Sequence, residues 1–153
     1  MPIISKINLY QYPAQNVISV RSTITFQDYP VVAGKAYTDI LVYLESRNLL
    51  PAGGPFVCYH NSDLQKLDVE LGFPVALPDN GNDNIKGHSI PAQMAVSGIF
   101  MGPYEETDCL MSEIMQWITK HGYKSQGQIY HHYLNDDNRS KNELLTRIII
   151  PVE

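Results

Sequence analysis

Two carboxylates, Asp68 and Glu70, interrupt the run Leu67 to Phe73, in which Leu67, Val69, Leu71 and Phe73 alternate with them as in a β-strand. Alternation puts Glu70 on one face with Asp68 and Gly72, away from the apolar set. Such a glutamate is either an exposed strand residue or a buried one. A buried carboxylate is costly unless it meets a ligand cation, Arg147 or tyrosine hydroxyls. Arg147 lies in a second strand-like run, Leu144 to Val152, where it faces water, pairs with Glu70 or offers its planar fork to an anion. Ten tyrosines against four phenylalanines mean that many rings carry a polar handle, as the walls of amphipathic pockets do. Tyr59 and Tyr133 sit in short strand-like runs, one opened by Phe56 and the other by Ile129, and Tyr104 follows Gly102-Pro103, where a turn aims a ring at a sheet. Phe56, Tyr59, Tyr104 and Tyr133 are candidates for an aromatic wall, with core packing as the alternative. Trp117 falls on helical spacing, where such a ring is more often core than ligand wall. His131 and His132 are adjacent, point to opposite faces of a strand and cannot share one ion in the ordinary way. The chain has no phosphate loop, nucleophile elbow or metal pattern, so no cofactor is expected.

The elements that must position these residues repeat along the chain. Pro13-Ala14-Gln15 recurs 78 residues on as Pro91-Ala92-Gln93, and each copy leads into an alternating stretch, Val17 to Phe26 and Ala95 to Met101, that predicts a strand. A helix follows each. Ala33, Ala36, Tyr37, Ile40, Leu41 and Leu44 define the apolar stripe of the first helix, and Leu110, Met111, Ile114, Trp117 and Ile118 that of the second. Glu105, Glu106 and Asp108 in the first turn of the second helix and Lys120, His121 and Gly122 at its end suit the helix dipole and a left-handed cap. Tyr59 and Tyr133 lie 74 residues apart, Pro74 and Pro151 lie 77 apart, and each proline closes its strand. The unit is therefore strand, helix, strand, strand, used twice, with half-repeats at about 1–76 and 85–153. The turn-rich Leu77 to Asn84 lies between them, and Ile85 to Ile90 opens the second half as Ile3 to Tyr10 opens the first. This predicts a single α+β domain, an antiparallel sheet with both helices on one face, leaving the other face or the seam between the halves for a concave site.

Composition bounds the function. The chain has 153 residues, 44% hydrophobic and 18% charged, enough to bury a core without staples. A net charge of -5 and eleven scattered Lys and Arg residues disfavour direct nucleic-acid binding. Two cysteines, Cys58 and Cys109, each in an apolar run, read as reduced core thiols. The start lacks a signal-peptide pattern and no run of about 18 apolar residues occurs. The expectation is a cytoplasmic protein that stays off membranes, a monomer or a homodimer.

Four segments in this order, Pro-Ala-x, Asp68-Val69-Glu70-x-Gly72-Phe73-Pro74-Val75, Gly102-Pro103-Tyr104, and Leu145-Thr146-x-Ile148-x-x-Pro151-Val152, give the chain a family likeness over nearly its whole length. It resembles the GyrI-like domain, the effector-binding module of AraC-type and MerR-type bacterial regulators, which also occurs alone. The resemblance implies an α/β fold with pseudo-two-fold symmetry and a central pocket that takes up hydrophobic, often cationic, small molecules against a buried glutamate. Together with the residue readings above, it leaves Glu70, Tyr104, Tyr59, Tyr133, Phe56, Arg147 and Trp117 as the candidate ligand-binding positions. The family's last strand reads Thr-Glu-Ile-x-x-Pro, whereas this chain has Thr146-Arg147-Ile148, so the usual carboxylate is missing. A helix-turn-helix domain is not expected within these residues, and a transcriptional role would need a DNA-binding partner protein. The alternative implied by the family is hydrolysis of strained electrophilic natural products, with Glu70 as base and Tyr104 as hydrogen-bond donor.

Overall fold

The computed structural model describes residues 2–153. Its elements are β1 (Asn8–Tyr12), β2 (Gln15–Ile24), α1 (Tyr29–Ser46), β3 (Phe56–Tyr59), β4 (Leu67–Pro74), β5 (Lys86–Ile90), β6 (Gln93–Met101), α2 (Asp108–Lys120), β7 (Ile129–Tyr133) and β8 (Leu145–Pro151). The fold is α+β with antiparallel strands. Among the described residues no helix is long and apolar enough to cross a membrane. The chain divides into two compact units: Ala14–Pro91, and Ala92–Glu153 together with the residues before Ala14.

In the first unit the strands run in the order β5-β2-β4-β3, each pair antiparallel. Pro30 opens α1 in the first turn, where a missing N–H costs nothing, and Ala33, Ala36, Ile40 and Leu44 form the buried line of the helix. Ile40 and Leu44 pack on Ile18, Phe73, Val75 and Ile85. Leu41, expected on this stripe, is 42% exposed. It stands one residue past Ile40 and is turned about 100° off the buried line, which is narrower than the apolar pattern.

The second unit has the order β1-β6-β8-β7, again antiparallel. Leu110, Ile114 and Ile118 of α2 are fully buried against Val96, Phe100, Ile148 and Ile150, and each such side chain stabilises the unit by roughly 1.5–3 kcal/mol. Asp108 and Lys120 sit at the ends of α2 that suit their charges, and Gly122, at φ 79°, takes the left-handed conformation that closes the helix. Glu105 and Glu106, expected in the first turn, form a short 3-10 turn ahead of it with Tyr104. Cys58 is buried, but Cys109 is exposed, correcting the expectation of two core thiols. It lies beside Leu110 and off the line that α2 buries.

The units do not follow the halves of the sequence. β5, expected to open the second half, pairs with β2, and β1 pairs with β6, so each unit takes its outermost strand from beyond its own half. Registers in the two units correspond: Val17 faces Pro74 as Ala95 faces Pro151, and Tyr59 faces Val69 as Tyr133 faces Thr146.

Candidate functional site

Because α1 packs on the face carrying Ile18 and Phe73, alternation turns Ser19, Phe56, Glu70 and Gly72 to the opposite face of the first unit. Glu70 is only 5% exposed there. Ser19 Oγ donates to its Oε2 at 2.7 Å, His60 Nε2 lies 2.9 Å from Oε1, and His88 Nε2 bonds Oε2. Burial pushes the carboxyl pKa up, but the bonds to His88, Ser19 and His60 outweigh it, and the net position is below the usual 4.5. Glu70 is therefore an anion with three of its roughly four acceptor directions filled by its own unit. Beside it, Arg21 grips Asp68 through two bonds of 2.9 and 2.8 Å and holds that carboxyl low. Phe56 is fully buried opposite Gly72. A Cβ at Gly72 would lie 2.4 Å from the Ile18 carbonyl oxygen and 3.1 Å from the Phe56 ring, so only glycine leaves room here for the neighbouring strand and for this ring.

The candidate tyrosines Tyr59, Tyr104 and Tyr133 fall on the helix side. Tyr59 faces Val69, in phase with Phe73, and its ring lies 6.1 Å from that of Tyr29, the first residue of α1. Burial raises the Tyr59 pKa, and a hydrogen bond with Tyr29 partly offsets the rise. In the second unit Tyr104, just ahead of α2, packs on Tyr133 at 4.9 Å with the planes tilted by 57°. Its pKa is raised, by burial first and then by Asp137 and Asp136. Thr146, directly opposite Tyr133, is completely buried, and its Oγ1 has no hydrogen-bond partner among the described residues. His131 shares this side and is held at about 4, chiefly by burial, so it is neutral at pH 7.

Arg147 emerges on the other face of the second unit, between Ile99 and His132 in register. His132 is also held at about 4, by burial and then by the Arg147 charge. A cleft of about 310 Å³ opens here, with Tyr10, Tyr12, Ser97 and Ile99 around Arg147. Trp117 belongs to the α2 core, stacked on His121 at 3.8 Å. It stands nine residues along α2 from Asp108, about 13 Å from the end that carries Tyr104. Among the described residues no group of three or more His, Cys, Asp or Glu side chains is spaced to hold a metal ion.

Of the sequence candidates, then, Tyr104 and Tyr133 meet, and Glu70 and Phe56 share a face. Tyr59 lies through the sheet from Glu70, as Tyr133 does from Arg147. Sequence reasoning missed Ser19, His60, His88, Tyr10, Tyr12 and Tyr29. Tyr29 alone left a signal, since it opens α1 and Tyr104, 75 residues later, stands just ahead of α2.

No curated protein sequence matches the chain. Among solved structures, EcmrR in a complex with DNA matches 97% of the chain at 24% identity and TM-score 0.80, and the chain spans 57% of the EcmrR chain. The isolated EcmrR C-terminal domain matches over 97% of each chain at 24% identity and TM-score 0.79. SAV2435 bound to tetraphenylphosphonium matches at 12% identity and TM-score 0.71 over 97% of this chain and 94% of its own. A hydrolase from Listeria innocua matches at 15% and 0.69, over 97% and 92%. At these identities the likenesses concern the fold. The family description that fits the sequence itself is the GyrI-like small molecule binding domain, which matches residues 5–153, and the chain belongs to that family.

Proposed function

We propose that this chain senses or sequesters amphipathic cations whose charge is spread over a large apolar body. The observation that carries this reading is the pair of tyrosine contacts, Tyr29 with Tyr59 and Tyr104 with Tyr133, each at the start of a helix and each half-buried. Aromatic faces attract a cation with about 0.5–2 kcal/mol, and a delocalised cation gives up little hydration on leaving water. The Thr146 hydroxyl, without a hydrogen-bond partner among the described residues, and the neutral His131 give Tyr133 polar neighbours that add no positive charge of their own. Tetraphenylphosphonium on SAV2435, a protein of the same fold, is a ligand of this class. In this reading the rings attract the charge, while Glu70 spends its oxygens on Ser19, His60 and His88. The same bonds make Glu70 a poor general base, because a lowered pKa weakens its hold on a proton, and binding is favoured over hydrolysis. A role in transcription would then run through a DNA-binding partner.

Calorimetric titration with tetraphenylphosphonium and with neutral triphenylphosphine oxide tests the proposal. The cation is expected to bind in the micromolar range, on the order of -8 kcal/mol, and more tightly than the oxide. Tyr133→Ala and Tyr104→Ala should each weaken it roughly three- to thirtyfold. Equal affinity for cation and oxide, or no loss in either variant, would overturn the reading.

A further inference from the structure

The face of the second unit opposite α2 has features that a cation site does not explain. Arg147 is half-buried in β8, and among the described residues no carboxylate of its own unit comes within ion-pair distance of it. Its neighbour across β7, His132, is neutral and supplies neither a competing cation nor a counter-ion. A guanidinium that has lost part of its hydration without gaining an anion stands in a state that an anionic ligand relieves.

What surrounds it narrows the class of anion. Tyr10 and Tyr12 present their rings edge to face, 6.2 Å apart, and Tyr10 remains 43% exposed. Ile99 adds an apolar floor to the cleft of about 310 Å³, at the small end of ligand pockets. Tyr12 Oη and Ser97 Oγ lie 2.7 Å apart, and either can donate to the other. Whichever hydroxyl accepts keeps its own proton and can offer it to a third atom. A single arginine fork and one spare hydroxyl suit a planar monoanion. They do not suit a phosphate, which would ask for more positive charge than this face holds.

We propose that the cleft around Arg147 is a second binding site, for small aromatic carboxylates, with the carboxylate on the Arg147 fork and the Tyr12/Ser97 pair and the ring against Tyr10 and Ile99. The proposal stands apart from the tyrosine site: Tyr133 and Thr146 lie on the helix side of the same sheet, and the cation titration can fail without affecting it.

The probes are 2-naphthoate and its neutral isostere 2-naphthamide, titrated calorimetrically into the full chain. Naphthoate is expected to bind at least tenfold more tightly than the amide, a comparison that needs no variant. Arg147→Gln should bring naphthoate down to the level of the amide, and Arg147→Lys, which keeps the charge and loses the fork, should fall between. The Arg147 Nε–H signal in a nitrogen-15 spectrum should shift with naphthoate and not with the amide. Naphthoate and tetraphenylphosphonium should bind together without competing. Equal binding of naphthoate and amide, absence of naphthoate binding at millimolar concentration, an unmoved Nε–H signal, or an Arg147→Gln variant that folds and binds naphthoate as the wild type does would each overturn the proposal.

Discussion

Replacing Glu70 by glutamine tests whether the buried carboxylate holds the first unit together. The substitution keeps volume and shape but removes the charge and turns one acceptor into a donor. Hydrogen bonds to a charged group contribute about 1.5–3 kcal/mol each when buried. Those from Ser19 and His60 qualify, with His60 only 16% exposed. The bond to His88 is screened by water, because that side chain is 43% exposed, and adds less. Glutamine retains part of this, so the expected loss at pH 7 is about 2–4 kcal/mol, a fall in Tm of roughly 5–15 °C. The pH dependence carries a second signature. The folded pKa of Glu70 lies below its unfolded value, so the unfolded chain binds the proton first as pH falls, and the stabilisation is present above about 4.5 and lost below it. Urea melts of wild type and Glu70→Gln from pH 7 to pH 3 should show a wide gap that holds down to about 4.5 and then narrows. A variant as stable as wild type at pH 7, or a gap unchanged at pH 3, would refute the reasoning.

Three further outcomes are expected. Ile114→Ala, at a fully buried position of α2, should destabilise by about 2–5 kcal/mol in urea melts, whereas Leu41→Ala, on the exposed flank of α1, should cost about 0.5 kcal/mol or less. Nuclear magnetic resonance should find the ring protons of His131 and His132 still at their neutral positions at pH 5, since both titrate at about 4. Because these folded values lie below the ordinary 6.5, the two histidines should make stability fall as pH drops from about 6.5 toward 4, a slope that His131→Gln should reduce. In native protein a thiol reagent should modify Cys109 promptly and reach Cys58 only on unfolding.

Periodicity is local, and what depends on it was legible in the chain. The lines Ala33-Ala36-Ile40-Leu44 and Leu110-Ile114-Ile118, the strands closed by Pro74 and Pro151, the left-handed Gly122 and the opposite faces of His131 and His132 all follow from spacing. The same spacing placed Glu70 with Gly72 and off the apolar face but left open whether that face was wet, because alternation says which residues share a side and not what covers it. Only the tertiary structure decided that. Ser19, His60 and His88 reach Glu70 from three other parts of the unit, 51, 10 and 18 residues away, and together they make burial of the charge tolerable. The pairing of β5 with β2 and of β1 with β6 was equally hidden, since strands of similar pattern can pair in either half and the choice rests on packing between distant segments. The sequence thus determined the strands and helices and the phase of most of their side chains, Leu41 and Cys109 being exceptions. The separation of Tyr133 from Arg147, and of Tyr59 from Glu70, through the thickness of a sheet came from the fold, because the burying layer belongs to the assembled structure and to no stretch of the chain.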